Sequence, residues 1–207
     1  MKTVIFDFDM TLVDSICAIT RGLNLMATHF GLAAVNEDDT RRVICLESSE
    51  FWSNLWGEYN PEWNDFFLKE VAHQEKDYLK IMPGATALLT ELKAAGVKLA
   101  LATNRNNAWA ALAAINLAHY FDTAVGVSDV AKGKPAPDMI NLVLTRLQAD
   151  PARTIMVGDA VYDIRAAVAA GVRAVGVLGG GGDRDRLMEA GAWQVCDNLE
   201  AVGDILS

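Results

Sequence analysis

The segment VIFDFDMTLVDS at residues 4–15 places two aspartates directly after an apolar run, close to the start of the chain. The run Val4-Ile5-Phe6 predicts a strand buried on both faces, and a carboxylate at the end of such a strand is costly unless a cation pairs with it. Because Asp7 and Asp9 are two residues apart, both side chains point to one face of a regular strand, and they diverge if the chain turns at Asp9. The sequence therefore predicts an acidic site with a cation beside it.

The composition limits the possible partners. The chain has 207 residues, of which 52% are hydrophobic and 22% charged, as in a folded globular protein. Its net charge of −9 argues against nucleic acid and anionic membranes as partners, because both are themselves negative. Cys17, Cys45 and Cys196 form no CxxC pair, which predicts neither a disulfide framework nor a zinc site. No signal-like or membrane-spanning segment is found, so we expect a cytoplasmic protein.

After the opening strand, short apolar segments with β-branched residues alternate with longer helical patterns. This alternation predicts an α/β fold built on a doubly wound parallel sheet, whose ligands bind at the carboxyl ends of the strands. The further predicted strands are 98–103, 124–127, 154–157, 174–177 and 194–196.

Residues 15–81 interrupt the alternation, since they contain amphipathic helical patterns and no convincing strand. We interpret this segment as a helical insert, with the α/β core formed by residues 1–14 and 82–207. Three of the five tryptophans, Trp52, Trp56 and Trp63, lie in it. We interpret its aromatic residues as the core of a helix bundle rather than as a ligand cage.

A second acidic pair lies in the segment GDAVYDIRAAVAAG, where Asp159 follows a strand and Asp163 comes one helical turn later. Four carboxylates gathered at one sheet edge repel each other unless a divalent cation lies among them, and oxygen ligands favour Mg²⁺. The alternative for either residue alone is a helix cap or a surface charge in a first turn.

Two further strand ends offer groups that bind anions. Thr103, Asn104 and Arg105 supply a hydroxyl and two amides at a strand-to-helix turn, where backbone donors and the helix dipole favour phosphate. Lys134, between Gly133 and Pro135, is a candidate for the cation near Asp7. Thr103 as a simple helix cap, and Lys132 in place of Lys134, are the alternatives.

The order of these motifs, DxDxT, a strand ending in Thr, GKPxPD and GDxxxD, resembles the haloacid dehalogenase-like hydrolases, in particular the phosphatase branch with a helical cap. The resemblance covers nearly the whole chain. Within this branch, the sequence looks most like phosphoglycolate phosphatases and their relatives. It is carried by FDMTLVDS, the cap segment HFGLAAVNEDDTRRVICLESSEFWSNLWG, PGA at residues 83–85 and GDAVYDIRAAVAAGV.

The resemblance implies a Rossmann-like core with a cap domain at residues 15–81, and a role for each motif residue. It implies Asp7 as nucleophile, Asp9 as general acid and base, and Thr103 and Lys134 as phosphoryl binders. It also implies Mg²⁺ held by Asp7, the backbone carbonyl of Asp9 and Asp159, with Asp163 supporting the metal or its waters.

Two departures from the family pattern are expected to matter. Met10 stands where the family usually has Gly, so a left-handed backbone there is strained. The cap loop reads Ile44-Cys45-Leu46-Glu47, without the usual glycine and proline, and Glu47 is unsuited to a substrate carboxylate.

We predict a Mg²⁺-dependent phosphomonoester hydrolase that acts on a small phosphorylated metabolite through an aspartyl-phosphate, as a monomer or homodimer. The alternatives are a phosphomutase of the same family and, in a different class, a phosphoacceptor signalling domain. The signalling domain is disfavoured by the acids on the first strand and by the large insert, and a dehalogenase leaves Asp9 and the metal pair without a function.

Overall fold

A computed structural model describes residues 2–46, 48–67, 69, 76–179 and 182–206. Strands and helices alternate through most of this part of the chain. The strands are β1 (Thr3–Phe6), β2 (Val13–Asp14), β3 (Lys80–Ile81), β4 (Lys98–Ala102), β5 (Thr123–Val125), β6 (Thr154–Gly158), β7 (Arg173–Val177) and β8 (Gln194–Cys196). The helices are α1 (Ile16–Phe30), α2 (Glu37–Val43), α3 (Ser48–Trp56), α4 (Pro61–Phe66), α5 (Ala85–Ala94), α6 (Ala108–Ala114), α7 (Asp138–Leu147), α8 (Val161–Ala169), α9 (Arg184–Glu189) and α10 (Leu199–Leu206).

Six parallel strands form the main sheet, in the order β5-β4-β1-β6-β7-β8. The central strand β1 pairs with β4 on one side and β6 on the other, with Thr3 opposite both Lys98 and Thr154. From β1 the chain continues to one side of the sheet and from β6 to the other. The switch point between these two strands is where ligands of open α/β sheets bind.

Both faces of the sheet are covered, which confirms the doubly wound α/β prediction. Val4 and Phe6 pack with residues of α5, α6 and α10, whereas Ile5 packs on the opposite face with residues of α7, α8 and α9. All four residues of β1 are buried, as the uninterrupted apolar run predicts.

Helices α1 to α4 form the predicted helical insert, with its own apolar cluster around Leu23, Met26, Trp52 and Trp63. The prediction that residues 15–81 contain no strand was wrong at their end, because β3 pairs antiparallel with β2 at the base of the insert. Two-residue strands are too short to produce a period in the sequence, and both residues of β3 are exposed.

Strand ends differ slightly from the prediction. The predicted strand 124–127 is observed as β5 and ends earlier, because Gly126 begins a turn in which its N–H donates to Asp129. Similarly, β4 ends at Ala102, one residue before Thr103.

None of the helices in the described residues has the length and apolar character needed to cross a membrane. All three cysteines are free thiols.

Candidate active site

Lys134 is the cation beside the first aspartate. Its Nζ lies 2.5 Å from Asp7 Oδ1, 2.6 Å from Asp163 Oδ1 and 2.8 Å from the carbonyl oxygen of Ala102, so each ammonium proton has an acceptor. Burial alone lowers the pKa of Lys134, but Asp163 and Asp7 outweigh burial and raise it above its usual value. The ammonium is therefore fixed and charged. Lys132, the alternative in the sequence, is exposed.

Three buried carboxylates meet at the switch point. Oxygens of Asp7, at the end of β1, Asp159, at the end of β6, and Asp163, in the first turn of α8, all lie within 4.8 Å of one another. Burial and the charge of Asp163 raise the pKa of Asp7 well above its usual value and raise that of Asp159 to about 7. Burial also raises the pKa of Asp163, although Lys134 opposes it. The ionised cluster therefore has more negative charge than Lys134 neutralises.

The donor set of this cluster fits a hard divalent cation. Carboxylate oxygens without nitrogen or sulfur partners suit Mg²⁺ more than softer metals. A divalent cation among Asp7, Asp159 and Asp163 would relieve the repulsion that raises their pKa values. Asp9 contributes no side-chain oxygen to the cluster; the family resemblance implies only its backbone carbonyl as a ligand.

Both oxygens of Asp159 are held by neighbouring donors. The Thr11 hydroxyl donates to Oδ1 at 2.9 Å, and the thiol of Cys45 donates to Oδ2 at 3.2 Å. Burial and the charge of Asp159 raise the pKa of the Cys45 thiol, which keeps it protonated as a donor. Cys45 follows α2, so the helical insert contacts the acidic cluster directly. Sequence reasoning missed this contact, since nothing local to Cys45 indicates it.

Asp9 diverges from Asp7 and pairs with Arg105. The guanidinium donates from Nη2 to Asp9 Oδ1 at 2.7 Å and from Nε to Oδ2 at 2.9 Å. Although burial raises the pKa of Asp9, Arg105 lowers it below its usual value, so the carboxylate is ionised here. The sequence predicts only a backbone amide as the contribution of Arg105 to the site. Its position two residues after Thr103, in the segment TNR, is the signal that was available.

Thr103 and Asn104 lie beside this pair, at the end of β4. Thr103 is buried, and its Oγ1 accepts a hydrogen bond from the Arg105 amide at 3.2 Å. Helix α6 begins only at Ala108 and is capped by Asn107, so Thr103 is not the helix cap. For the same reason, the helix dipole expected at Asn104 and Arg105 begins several residues further on. The Arg105 amide donates to Thr103, which leaves the Asn104 amide as the candidate backbone donor to phosphate.

The side chain of Asn104 positions the lysine loop. Its Oδ1 accepts from the Lys134 amide at 3.0 Å, and its Nδ2 donates to the Lys134 carbonyl oxygen at 3.2 Å. A Cβ at Gly133 would lie 2.8 Å from Asn104 Oδ1, so this approach requires glycine. Asn104 thus fixes Lys134 from the backbone side, while Asp7 and Asp163 hold its ammonium.

Met10 has the left-handed backbone that its replacement of glycine predicts, with φ 57°. Its side chain is buried in a small apolar cluster with Ile16 and Ile44, and Cys45 packs against the same cluster. Gly179 also lies here, since a Cβ on it would approach the Met10 carbonyl oxygen to 2.7 Å. A Cβ on Gly182 would collide with the carbonyl oxygen of Asp159. The ends of the glycine segment 179–182 therefore pack against the loops that carry the acids, while Gly180 and Gly181 lie outside the described residues.

A cavity of about 530 Å³ lies between the insert and the sheet edge and reaches Lys134 and Asn104. Its aromatic wall consists of Phe51, Trp52, Tyr59, Phe67 and Tyr162. Its remaining wall consists of Ile44, Leu46, Ser48, Ser49, Asn64 and Pro135. Trp52 and Phe67 also belong to the apolar cluster of the insert. The interpretation of the aromatics as helix-bundle core is therefore confirmed for Trp52 and Trp63. It missed that Trp52 and Phe67 also form part of the cavity wall. Glu47 lies outside the described residues.

A parallel α/β sheet with buried aspartates, a fixed lysine and an oxygen-rich cation site at its switch point defines a class of phosphoryl-transfer enzymes. The sequence pattern of the haloacid dehalogenase-like hydrolases matches residues 4–177, and the chain belongs to this family. It is a hydrolase of the phosphatase type, as the family and the relatives below indicate.

Two relatives are each 32% identical to this chain. One is the phosphoglycolate phosphatase of Rhodospirillum rubrum, which aligns over 99% of this chain and 90% of its own length. The other is the phosphorylated carbohydrates phosphatase of Thermotoga maritima, which aligns over 93% and 92%. A haloacid dehalogenase-like hydrolase of Streptococcus pneumoniae has the same fold, with a TM-score of 0.84 at 20% identity over 99% of this chain and 98% of its own.

Proposed function

We propose that this enzyme is a Mg²⁺-dependent phosphomonoester hydrolase that acts on a small phosphorylated metabolite through an aspartyl-phosphate at Asp7. The observation that carries the proposal is the buried contact of Lys134 Nζ with both Asp7 and Asp163, beside Asp159. The named activities of the two relatives support phosphate esters as substrates. We also propose a cytoplasmic location, which the three free thiols and a small phosphorylated substrate support.

In the first step, one Asp7 oxygen attacks phosphorus and the bond from phosphorus to the leaving oxygen breaks. Lys134 neutralises charge on the phosphoryl oxygens, and Thr103 with the Asn104 amide binds them from the β4 side. Asp7, Asp159 and the Asp9 carbonyl would hold Mg²⁺, with Asp163 in support. When bound there, the metal supplies positive charge next to the transferring phosphoryl group.

Asp9 moves the protons. It donates one to the leaving oxygen in the first step and takes one from the water that attacks phosphorus in the second, when the bond from phosphorus to Asp7 breaks. Paired with Arg105, Asp9 is ionised, which is the form that accepts a proton. An anionic phosphoryl group that enters the site competes with Asp9 for the guanidinium of Arg105. When Asp9 loses this contact its pKa rises, which favours the protonated form that donates to the leaving oxygen.

We assign residues 15–81 to a cap domain and residues 1–14 and 82–207 to the catalytic core. The pairing of β2 with β3 supports this boundary, because it brings the two ends of the insert together. The cavity between the two parts would hold the leaving group, and closure over it would exclude water.

The substitution Asp7→Asn tests the proposal. It removes the nucleophile and keeps the shape, so we expect hydrolysis of p-nitrophenyl phosphate with Mg²⁺ to fall by more than about 1,000-fold, with an unchanged circular dichroism spectrum. Asp38→Asn is the matched control, since Asp38 is exposed on α2. Activity of Asp7→Asn within about tenfold of the unmodified enzyme would refute Asp7 as the nucleophile.

A further inference from the structure

The described residues that line the cavity between insert and core are uncharged apart from its phosphate end. Among the described residues that line it, Lys134 is the one that carries a charge. The other polar side chains of the described lining are neutral: the hydroxyls of Ser48, Ser49, Tyr59 and Tyr162 and the amides of Asn64 and Asn104. Neutral groups of this kind bond hydroxyl and carbonyl groups, whereas an anion in a partly closed cavity needs a cation or several amide donors.

Lys134 cannot supply that cation for a leaving group. In the proposed reaction its charge serves the phosphoryl oxygens, and its ammonium is held at that end of the cavity by Asp7, Asp163 and the Ala102 carbonyl oxygen. Arg105, the cation next to the site, makes a two-point contact with Asp9 and is not part of the cavity wall. A carboxylate on the leaving group would therefore enter a largely aromatic space next to three acids, where the described lining residues offer it no further cation.

The size of the cavity points in the same direction. At about 530 Å³ it has the volume of a site for a ring-sized group, and a two-carbon acid would leave most of it empty. Flat side chains such as Phe51, Trp52 and Tyr162 suit the carbon–hydrogen face of a sugar ring, whose hydroxyls the serines and Asn64 can bond.

We infer that the substrate is a phosphate ester of an uncharged, polyhydroxylated leaving group of about sugar size, and that the cap selects against leaving groups with a carboxylate. This inference rests on the proposed phosphatase function and specifies its substrate class.

Two matched pairs of esters test the selectivity on the whole enzyme with Mg²⁺. Within each pair a hydroxymethyl group replaces a carboxylate: 2-hydroxyethyl phosphate against phosphoglycolate, and glucose 1-phosphate against glucuronic acid 1-phosphate. For each ester, we measure its own rate of hydrolysis and its inhibition of p-nitrophenyl phosphate hydrolysis. The inhibition gives the relative binding of the two members of a pair even when both are hydrolysed slowly. Within each pair, we expect the ester without a carboxylate to be hydrolysed, or to compete, at least about tenfold better. We also expect glucose 1-phosphate to be a better substrate or competitor than 2-hydroxyethyl phosphate.

The results separate this inference from the proposed function. No hydrolysis of p-nitrophenyl phosphate or any other ester would refute the phosphatase itself. Hydrolysis of p-nitrophenyl phosphate with less than tenfold difference within both pairs, or with the carboxylates preferred, would refute the inference and leave the phosphatase standing.

Asn64→Lys adds a cation to the wall, and Asn64→Met is its uncharged control of similar length. We expect Asn64→Lys to raise the relative rate on the carboxylate member of each pair by about fivefold or more over Asn64→Met, both normalised to p-nitrophenyl phosphate. Equal ratios in the two variants would show that charge in this wall does not govern selection, and would overturn the inference.

Discussion

At Met10, backbone strain lowers the stability of the fold and side-chain packing raises it. Its left-handed backbone costs about 1–2 kcal/mol for a residue with a Cβ. Its side chain, however, is almost fully buried between the loop after β1 and the insert, with Ile16 and Ile44 around it. Removing such a side chain costs about 2–5 kcal/mol, so packing outweighs backbone strain.

We therefore expect Met10→Gly to be less stable than the unmodified protein by about 1–3 kcal/mol, even though glycine relieves the strain. Met10→Ala loses the packing and keeps the strain, so it should be less stable still. Urea unfolding of the three proteins measures the order. A Met10→Gly protein more stable than the original would show that this side chain contributes little across the interface.

Arg105 holds Asp9 in one place through two hydrogen bonds. Because general acid–base catalysis depends on position, loss of this contact should lower kcat by about 10- to 100-fold in Arg105→Gln. Arg153→Gln is the control, since Arg153 is exposed at the opposite edge of the sheet, before β6. Steady-state kinetics on p-nitrophenyl phosphate gives the comparison, and equal kcat values in the two variants would contradict a positioning role for Arg105.

The site residues differ in how well the sequence reveals them. Asp7 and Asp159 directly follow strands, and parallel topology brings strand ends together whatever lies between them. Lys134 lies nine residues after β5, and the segment GKP is its signal. The contacts of Asp9 with Arg105 and of Asp159 with Cys45 join residues 96 and 114 positions apart. Such pairs depend on how loops cross the sheet edge, which no local period encodes.

The central strand determines the geometry of the site. Because β1 lies between β4 and β6, Asp7 emerges between Thr103 and Asp159. The strands of the main sheet were predictable, since each is an apolar run with β-branched residues that ends in a polar turn. The β2–β3 ribbon was not, because its two-residue strands form only through contact between segments more than 60 residues apart in the sequence.

The carboxylate of Asp122 connects three elements of the core at the β5 edge of the sheet. Asp122, before β5, accepts from the Leu99 amide of β4 at 2.8 Å and from Lys93 Nζ of α5 at 2.9 Å. Burial raises the pKa of Asp122, but the Leu99 amide and Lys93 together lower it below its usual value.

The direction of this shift sets a pH dependence. A carboxyl whose pKa is lower in the folded state stabilises the fold above its unfolded pKa of about 3.9, and this contribution is lost as the pH falls through the folded pKa. Asp122→Asn should therefore lower the free energy of unfolding at neutral pH, with a difference that shrinks toward about pH 3. Urea unfolding across this range, with Asp38→Asn as control, measures it. A pH-independent difference would contradict the role of the charge.

In the whole molecule, insert and core meet over the acidic cluster and Lys134. Cys45 contacts Asp159, Met10 packs on Ile44, and the cavity between the two parts ends at Lys134. The part common to all phosphate esters would thus be bound by the core, and the variable part by the insert. The length and helical character of residues 15–81 predict this division, whereas the cavity and the neutral character of its described lining depend on the packed structure.

The central claim is that phosphate is transferred to Asp7 and then released by attack on phosphorus. A single turnover with excess enzyme in heavy-oxygen water, quenched in acid at successive times, tests both parts by mass spectrometry of the peptide containing Asp7. We expect a phosphoryl group on Asp7 that appears and disappears, with heavy oxygen in the released phosphate and none in the Asp7 carboxylate. Phosphate release with Asp7 never phosphorylated, or heavy oxygen in its carboxylate, would contradict it.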